Sequence, residues 1–493
     1  MDFLDPLYNR RHITRLYIGY CLVAIAIFLA VTMLLLIAYG FQLSKNGQVI
    51  QNGLLFASSK PVGATVYIDG VSKDKQTNTR LNIAEGSYEL ELKRDGYRDW
   101  QHRINIVGGR VFRYDYPLLF PETLNTTTLS TLGTTAPGMV TQTPDHRHLL
   151  LQQSPRVPTF AMFDLKNPST PPVTLTIPSA AYTPGGTQSW QVVQWSSDNV
   201  HLLLKHGFGT KSTEYVLFDR ETPTDSVNLS VRFKTSPTRL TMIDNKFDRY
   251  YLYSSADGSL RRATLDEPTP QVFLTNVLEY EPYKANTILY VTSVSDVKNQ
   301  VEVHLQINGS DYMLHRLPKA SAYRMAVNAY SGDTYVALAD PSTKLVYIYR
   351  NPLTRLSSAL TAAPTVSLKF DSPTFLEFSA GGRFVLAERG ANFATYDAEY
   401  KQSSSYTMTQ PIDKGQTHAV WLDGAHLQYV SNNQLYVFDY DGTNPQLLVP
   451  ATVDQTAHYD NNYSFVYTVA PPTTATKQRY VLTSTSLRTP ADQ

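Results

Sequence analysis

The chain has almost no cysteine: of 493 residues only Cys21 is one, and it lies inside the first long apolar run. Everything after that run can hold neither a disulfide nor a cysteine-based metal site, so its stability must come from burial. An exported region without cysteine fits a bacterial envelope better than a eukaryotic secretory route. An excess of charge of one sign is missing too, with Lys+Arg 43, Asp+Glu 42 and a net charge of +1. No basic surplus points to nucleic acid, and no acidic run points to a disordered tail. Neither a G-x-S-x-G elbow nor an H-E-x-x-H pair occurs. Past the apolar run no 3.6-residue period separates the strand-like segments, which disfavours a parallel α/β fold.

What is present begins at the N-terminus. Residues 16–44 carry no charge, and at about 20 residues per helical crossing the run is long enough to span a bilayer. Arg10, Arg11, His12 and Arg15 precede it, and only Lys45 closely follows. The positive-inside rule then expects a cytoplasmic N-terminus, with the chain from about residue 45 extracytoplasmic. A cleaved signal peptide has a shorter core, roughly 7–15 residues, and exits through small residues. Here the exit is Ala38-Tyr39-Gly40-Phe41, and Tyr17, Tyr20 and Tyr39 lie where an aromatic belt sits. The expectation is an uncleaved single-pass anchor, with a cytoplasmic tail over 1–15 and a membrane helix over 16–43. So short a tail holds no signalling domain.

From Gly53 the pattern changes to short alternating runs broken by Gly, Pro and Asp. Leu54-Leu55-Phe56-Ala57 reads as a strand, and Ala64-Thr65-Val66-Tyr67-Ile68 alternates with period two before an Asp69-Gly70 turn. Residues 73–79 read as a polar loop. Glu85-Gly86 turns into Ser87-Tyr88-Glu89-Leu90-Glu91-Leu92, apolar alternating with acidic, as in a strand with one wet face. Two further strands, 100–107 and 111–116, flank Gly108-Gly109. The segment 53–119 is expected to be a small antiparallel β-sandwich, near the lower size limit for independent folding.

Pro61-Val62-Gly63-Ala64-Thr65-Val66-Tyr67-Ile68-Asp69-Gly70, then Glu85-Gly86-Ser87-Tyr88 and Lys93-Arg94-Asp95-Gly96-Tyr97, resembles the PEGA domain. That family's hallmark is P-x-G-A-x-V-Y-I-D-G, then G-x-Y and a K-x-G-Y-like turn. Its usual Thr-Pro step after the first hairpin is replaced here by Gln76-Thr77-Asn78-Thr79-Arg80. The resemblance implies a surface-exposed adhesion or spacer module of prokaryotic envelope proteins, without catalysis. Turns alone account for the Gly and Asp residues.

Residues 120–138 read as a linker that also holds a strand. Beyond it, over 139–493, one unit recurs: a polar turn, an apolar strand, a loop, and a second strand often ending in Asp. Pro144-Asp145-His146-Arg147-His148-Leu149-Leu150-Leu151 leads to Phe160-Ala161-Met162-Phe163-Asp164. Ser197-Asp198-Asn199-Val200-His201-Leu202 leads to Tyr215-Val216-Leu217-Phe218-Asp219. Copies follow at Ser331, Gly381 and Asp423, and weaker ones near Asn245, Lys284 and Asp460. A spacing of about 40 to 50 residues is the period of a four-stranded propeller blade. The expected fold is mainly β: a transmembrane helix, a small sandwich, then a β-propeller of about eight blades, with seven the alternative. The segment 126–129 is a candidate for the outer strand that closes the last blade.

Leu435-Tyr436-Val437-Phe438-Asp439-Tyr440-Asp441-Gly442-Thr443-Asn444 resembles the blade ending of TolB-type and WD-repeat-like propellers, although the Trp-Asp dipeptide is missing. The resemblance implies a protein-interaction platform and names no partner.

Catalytic constellations are not legible. Asp145, His146 and His148 cluster as metal ligands would, but at the place where the repeat demands a polar turn. His201, Lys205 and His206 fall on or beside a blade strand. Asp164, Asp219, Asp397 and Asp439 recur with the repeat, which points to turn hydrogen bonding. Trp190, Trp195 and Trp421 are candidates for sugar stacking, with packing the more usual role at inner-strand positions. Asn125, Asn228, Asn308 and Asn462 stand in N-x-S/T sequons, of consequence only in a glycosylating pathway. No catalytic, metal or cofactor residue is assigned, and the binding residues are unknown. The expectation is a non-catalytic scaffold with an envelope protein partner and no nucleic acid. A glycan-binding wall anchor is the alternative, favoured by a patch of exposed aromatics. A hydrolase using the propeller channel is the third reading, favoured by converging titratable groups.

Overall fold

The computed structural model describes residues 6–38, 40–43, 49–356, 362–412, 418–453, 455 and 457–492. Tyr39, Lys45 and the first five residues of the expected tail lie outside the described residues. Helix α1 spans Pro6–Ala38. It starts ten residues before the expected span because the polar segment after Pro6 continues the helix, with proline tolerated in its first turn. It stops where Gly40 turns left-handed (φ +80°) and its N–H bonds the Ile37 carbonyl at 3.0 Å. The stretch Ile13–Ala38 is long and apolar enough to cross a membrane, and none of it is buried in the protein. That rules out a core helix.

The described residues divide into two compact units, 1–123 with 488–493, and 124–487. In the first, the strands are β1 (Phe41–Leu43), β2 (Val49–Ala57), β3 (Thr65–Ile68), β4 (Val71–Gln76), β5 (Thr79–Ala84), β6 (Gly86–Lys93), β7 (Trp100–Ile106) and β8 (Val111–Tyr114). They make two four-stranded sheets, β4-β3-β6-β7 and β1-β2-β5 with β8 on β2. Leu55, Val66, Ile68, Leu90, Leu92, Trp100, Ile104 and Phe112 fill the core.

Two details depart from expectation. The supposed loop over 73–79 is mostly strand β4, because the Asp69-Gly70 turn (φ 49° and 72°) folds it back onto β3. Thr77 beyond it is buried, accepting the Ala64 N–H at 3.0 Å and bonding the Ser59 hydroxyl at 2.6 Å. Pairing is antiparallel except that β8 lies parallel to β2, from Leu54↔Val111 to Ala57↔Tyr114. Gly108 and Gly109 carry the chain from one sheet to the other, so β8 cannot pair back on β7. A Cβ on Gly108 would stand 2.7 Å from Gln51 Cβ.

The second unit is a propeller of eight four-stranded sheets. Seven are built from consecutive strands, over residues 139–176, 188–228, 239–274, 277–318, 325–369, 375–407 and 420–450. The eighth takes three strands from 458–486 and its outer strand from β9 (Asn125–Thr131) at the start of the unit. Apolar faces join neighbours around the ring. Phe160 of blade one stacks on Phe218 of blade two with ring centres 5.6 Å apart, and Leu203 and Leu217 of blade two meet Leu240 and Leu252 of blade three. Leu149 and Leu151 of blade one meet Tyr467 and Val469 of blade eight, completing the circle.

The blades approach closely at their turns. Gly382 of blade six has φ +72°, and a Cβ there would stand 2.1 Å from the Ala329 carbonyl oxygen of blade five. Gly390, in the next hairpin turn, has φ +58° and nothing within 4 Å of such a Cβ. G390A should cost only the left-handed strain of about 1–2 kcal/mol. G382A should cost at least about 1 kcal/mol more, since it also forces two blades apart. Equal unfolding free energies for the two variants in denaturant titrations would refute that difference.

Candidate functional site

The recurring aspartates are anchors of turns. Asp164 Oδ1 accepts the Lys166 N–H at 3.0 Å, Asp219 Oδ1 accepts those of Glu221 and Thr222 at 2.8 Å, and Asp397 Oδ1 accepts that of Glu399 at 2.8 Å. In blades two and seven a histidine joins two of these loops. His201 Nδ1 lies 2.7 Å from Asp198 and its Nε2 3.6 Å from Asp219. His426 Nδ1 lies 2.9 Å from Asp423 and its Nε2 3.4 Å from Asp439. Burial alone would lower the His426 pKa; the adjacent Asp423 charge and the two carboxylate contacts raise it to about 10. In blade six Arg383 takes the same part, bidentate on Asp397 at 3.1 and 2.8 Å.

Asp145, His146 and His148 occupy the equivalent turn of blade one and do not converge. Asp145 accepts from the Thr143 hydroxyl at 2.6 Å and the Arg147 N–H at 3.1 Å, while His146 Nδ1 meets the Tyr459 carbonyl at 3.1 Å. Among the described residues no group of three His, Cys, Asp or Glu side chains is placed to hold a metal ion.

His206 is fully buried. Its ring stacks on Trp190 at 4.0 Å, and its nitrogens face Glu214 at 2.8 Å and Gln188 at 2.5 Å. Glu214 in turn accepts from Thr183 and from Asn228, one of the sequon asparagines. Trp195 donates to the Thr141 hydroxyl at 2.8 Å, and Trp421 packs in the cluster between blades six and seven. The three tryptophans thus hold blades together. Outside helix α1, Tyr312 is the one largely exposed aromatic among the described residues. Among the described residues outside α1, exposed aromatics form no patch.

A different set of residues, on the inner strands, forms a polar cavity of about 550 Å³. Blade two supplies Gln194, blade three Arg239, Thr241, Asp244 and Asn245, and blade four Glu281, Tyr283 and Lys284. Period-two alternation on each inner strand turns Leu240, Met242 and Tyr280 into the blades and leaves Arg239, Thr241 and Glu281 facing inward. Arg239 is committed: Nη1 donates to Glu279 at 2.7 Å, Nη2 donates to the Tyr280 carbonyl, and the guanidinium lies 3.7 Å over the Tyr280 ring. Thr241 shares a hydrogen bond with the Tyr280 hydroxyl at 3.1 Å. Gln194 and Asn245 bond each other at 2.6 Å.

Glu281 has no such partner among the described residues. Burial pushes its carboxyl up to about 7, against the pull of Arg239 and with the push of Glu279. Glu377, on the inner strand of blade six, is open to solvent yet walled by protein. Burial and the charge of Glu281 raise it to about 7 as well. The inner strands therefore bring together two carboxyls, from blades 4 and 6, that titrate near neutrality. Sequence reading did not find them. The signal was a carboxylate within an apolar strand, as in Leu376-Glu377-Phe378.

A third carboxyl of this kind, Glu388, is fully buried on a central strand of blade six. Its oxygens accept the Ala419 N–H at 2.9 and 3.1 Å, which ties blade six to the start of blade seven. Burial raises it to about 8, opposed by that one hydrogen bond.

Residues 52–119 match the family model of the PEGA domain. No curated protein matches the chain. Among solved structures it is similar to dipeptidyl peptidase 4 of Porphyromonas gingivalis, at 14% identity and TM-score 0.43, covering 70% of this chain and 57% of that one. The chain thus spans just over half of that peptidase. It is also similar to Hsv2 of Kluyveromyces lactis (10% identity, TM-score 0.38, 66% of this chain and 100% of that one). A third is the dihydro-heme d1 dehydrogenase NirN (11%, TM-score 0.40, 65% and 67%).

Folding holds the Glu388 proton more tightly than the unfolded chain does. The stability it contributes is complete below pH about 4.5, falls as pH rises, and is gone above pH about 8. E388Q keeps an acceptor for Ala419 and cannot ionise. In thermal unfolding between pH 5 and 8, the wild type should lose stability relative to E388Q, by at most about 1.4 kcal/mol per pH unit. Parallel stability curves would show that Glu388 does not titrate in this window.

Proposed function

We infer that this chain, which carries a PEGA domain, is a single-pass protein of a prokaryotic cell envelope whose propeller is a non-catalytic platform for a protein partner. The N-terminal basic cluster supports a cytoplasmic tail with both folded units outside. The PEGA sandwich is a spacer between membrane and propeller.

The observation that carries the reading is the inner-strand cavity, where Glu281 stands without a counter-ion while Arg239 is already neutralised by Glu279. A half-buried carboxylate without an ion-pair partner carries a desolvation cost, and a cationic side chain from a partner would relieve that cost. Glu377, on the inner strand of blade six, adds a second carboxyl close enough to respond to the charge of Glu281. The matching partner is a protein presenting a lysine or arginine. A hydrolytic reading has less support: Thr241, the hydroxyl on the inner strand of blade three, bonds the Tyr280 hydroxyl instead of a base. The absence of an aromatic platform weighs against the glycan reading.

Full-length chain, immobilised in detergent micelles, should retain a defined set of solubilised envelope proteins and nothing from purified cell-wall polysaccharide. E281Q should weaken that retention about tenfold, the value of one charge-assisted contact. Binding should strengthen from pH 6 to pH 8, because the carboxyls that titrate near 7 attract a cation only when ionised. Saturable retention on polysaccharide, or retention indifferent to E281Q and to pH, would overturn the reading.

A further inference from the structure

The chain leaves the first unit after Thr123 and returns to it at Arg488. Strand β9 starts at Asn125, two residues past the exit. The last strand of blade eight, Val481–Ser486, ends two residues before the return. These two strands are partners, with Asn125 opposite Ser486 and Thr131 opposite Val481. Their pairing is the seam at which the ring shuts.

Considered by itself the seam is thin. β9 reads Asn125-Thr126-Thr127-Thr128-Leu129-Ser130-Thr131, and only Leu129 and Ser130 are even half-buried. Leu129 is its sole apolar side chain and packs at the edge of the cluster around Leu149 and Tyr467. Beyond the backbone ladder, Thr126 and Thr485 share a hydroxyl bond at 2.8 Å, and the register slips between Leu482 and Thr483. A solvated strand with one apolar anchor belongs at the low end of local stability.

Its flanks are held far better, both by the same small unit. Upstream, Leu118, Leu119 and Phe120 are buried in that unit. Downstream, Arg94 pairs with the Asp492 carboxylate. The Tyr97 hydroxyl donates to Asp492 Oδ2 at 2.6 Å, and the Thr489 hydroxyl donates to the same oxygen at 2.9 Å. The Thr489 N–H donates back to the Tyr97 hydroxyl at 3.0 Å. Arg94 is itself fixed by the Val62 carbonyl at 2.6 Å, and Tyr97 is buried.

We propose that residues 488–492 are a clasp that keeps the propeller ring shut, by fastening the downstream flank of the seam to the domain that already holds its upstream flank. With the clasp engaged, an opened seam leaves two strands joined through a folded body by a few residues on each side. Re-pairing is then a short loop closure at high effective concentration. With the clasp released, the last strand loses that tether to the small unit and the seam must close against a larger entropy. The order of the chain adds a mechanical consequence. The membrane helix enters the same unit, so tension on the anchor reaches both strands of the seam together.

Hydrogen exchange on the full chain in detergent micelles tests this. In D492N and in R94Q, peptides covering 125–131 and 481–486 should exchange about tenfold faster, the value of one charge-assisted contact. Peptides from the core of blade four, around Leu289 and Leu305, should be unchanged. The swapped pair R94D with D492R should restore protection. Y97F, which spares the ion pair, should give a smaller rise and guards against a variant that unfolds outright. Seam peptides exchanging at the wild-type rate after 488–492 has lost protection would overturn the proposal. So would a D492N chain in which 488–492 stays protected.

Discussion

Every blade of the propeller is apolar on both faces, and the rest of the architecture follows from that constraint. A four-stranded sheet with Leu203, Tyr215 and Leu217 on one side and Leu202, Leu204 and Phe218 on the other cannot face water on either. It needs two neighbours, and so does each of them. Only a closed ring leaves no open face. Without cysteine, no covalent bond secures the closure, so it depends on packing and on one pairing between strands that lie 350 residues apart in the chain.

The ring decides how charge is handled. At the turns, buried or half-buried charges come with their partners: His426 between two aspartates, Arg383 on Asp397, His201 between Asp198 and Asp219. On the inner strands the accounts do not balance. Arg239 is neutralised by Glu279, and among the described residues Glu281 and Glu377 make no ion pair. Together with Glu388, these are the carboxyls that burial raises, all of them in blades four and six.

The repeat was legible because each copy carries its own turn and its own alternation. Eight copies are visible even where they are degenerate, and the segment 126–129 was already a candidate for the strand that closes the last blade. Strand β4 was not legible, because Lys73, Asp74 and Lys75 lie on a wet edge where a strand looks like a loop. The parallel entry of β8 was hidden as well, since it depends on which sheet β7 joins. The two inner-strand carboxyls were overlooked for a related reason. Glu281 and Glu377 are nearly a hundred residues apart, and each by itself is an ordinary polar residue in a strand. The histidines that did draw attention, His146, His148, His201 and His206, serve turns and packing.

The sequence by itself determined the membrane-length helix, the β class of all that follows, the PEGA signature and the blade period. All of these are written in local order: run length, period-two alternation and turn residues act within a few positions of each other. Tertiary structure alone decided that the ring closes at eight blades, that the charge of Glu281 reaches Glu377, and that Asp492 reaches Arg94 and Tyr97. Those depend on how many twisted sheets complete a circle and on where the chain is when it comes back, and no local pattern records either.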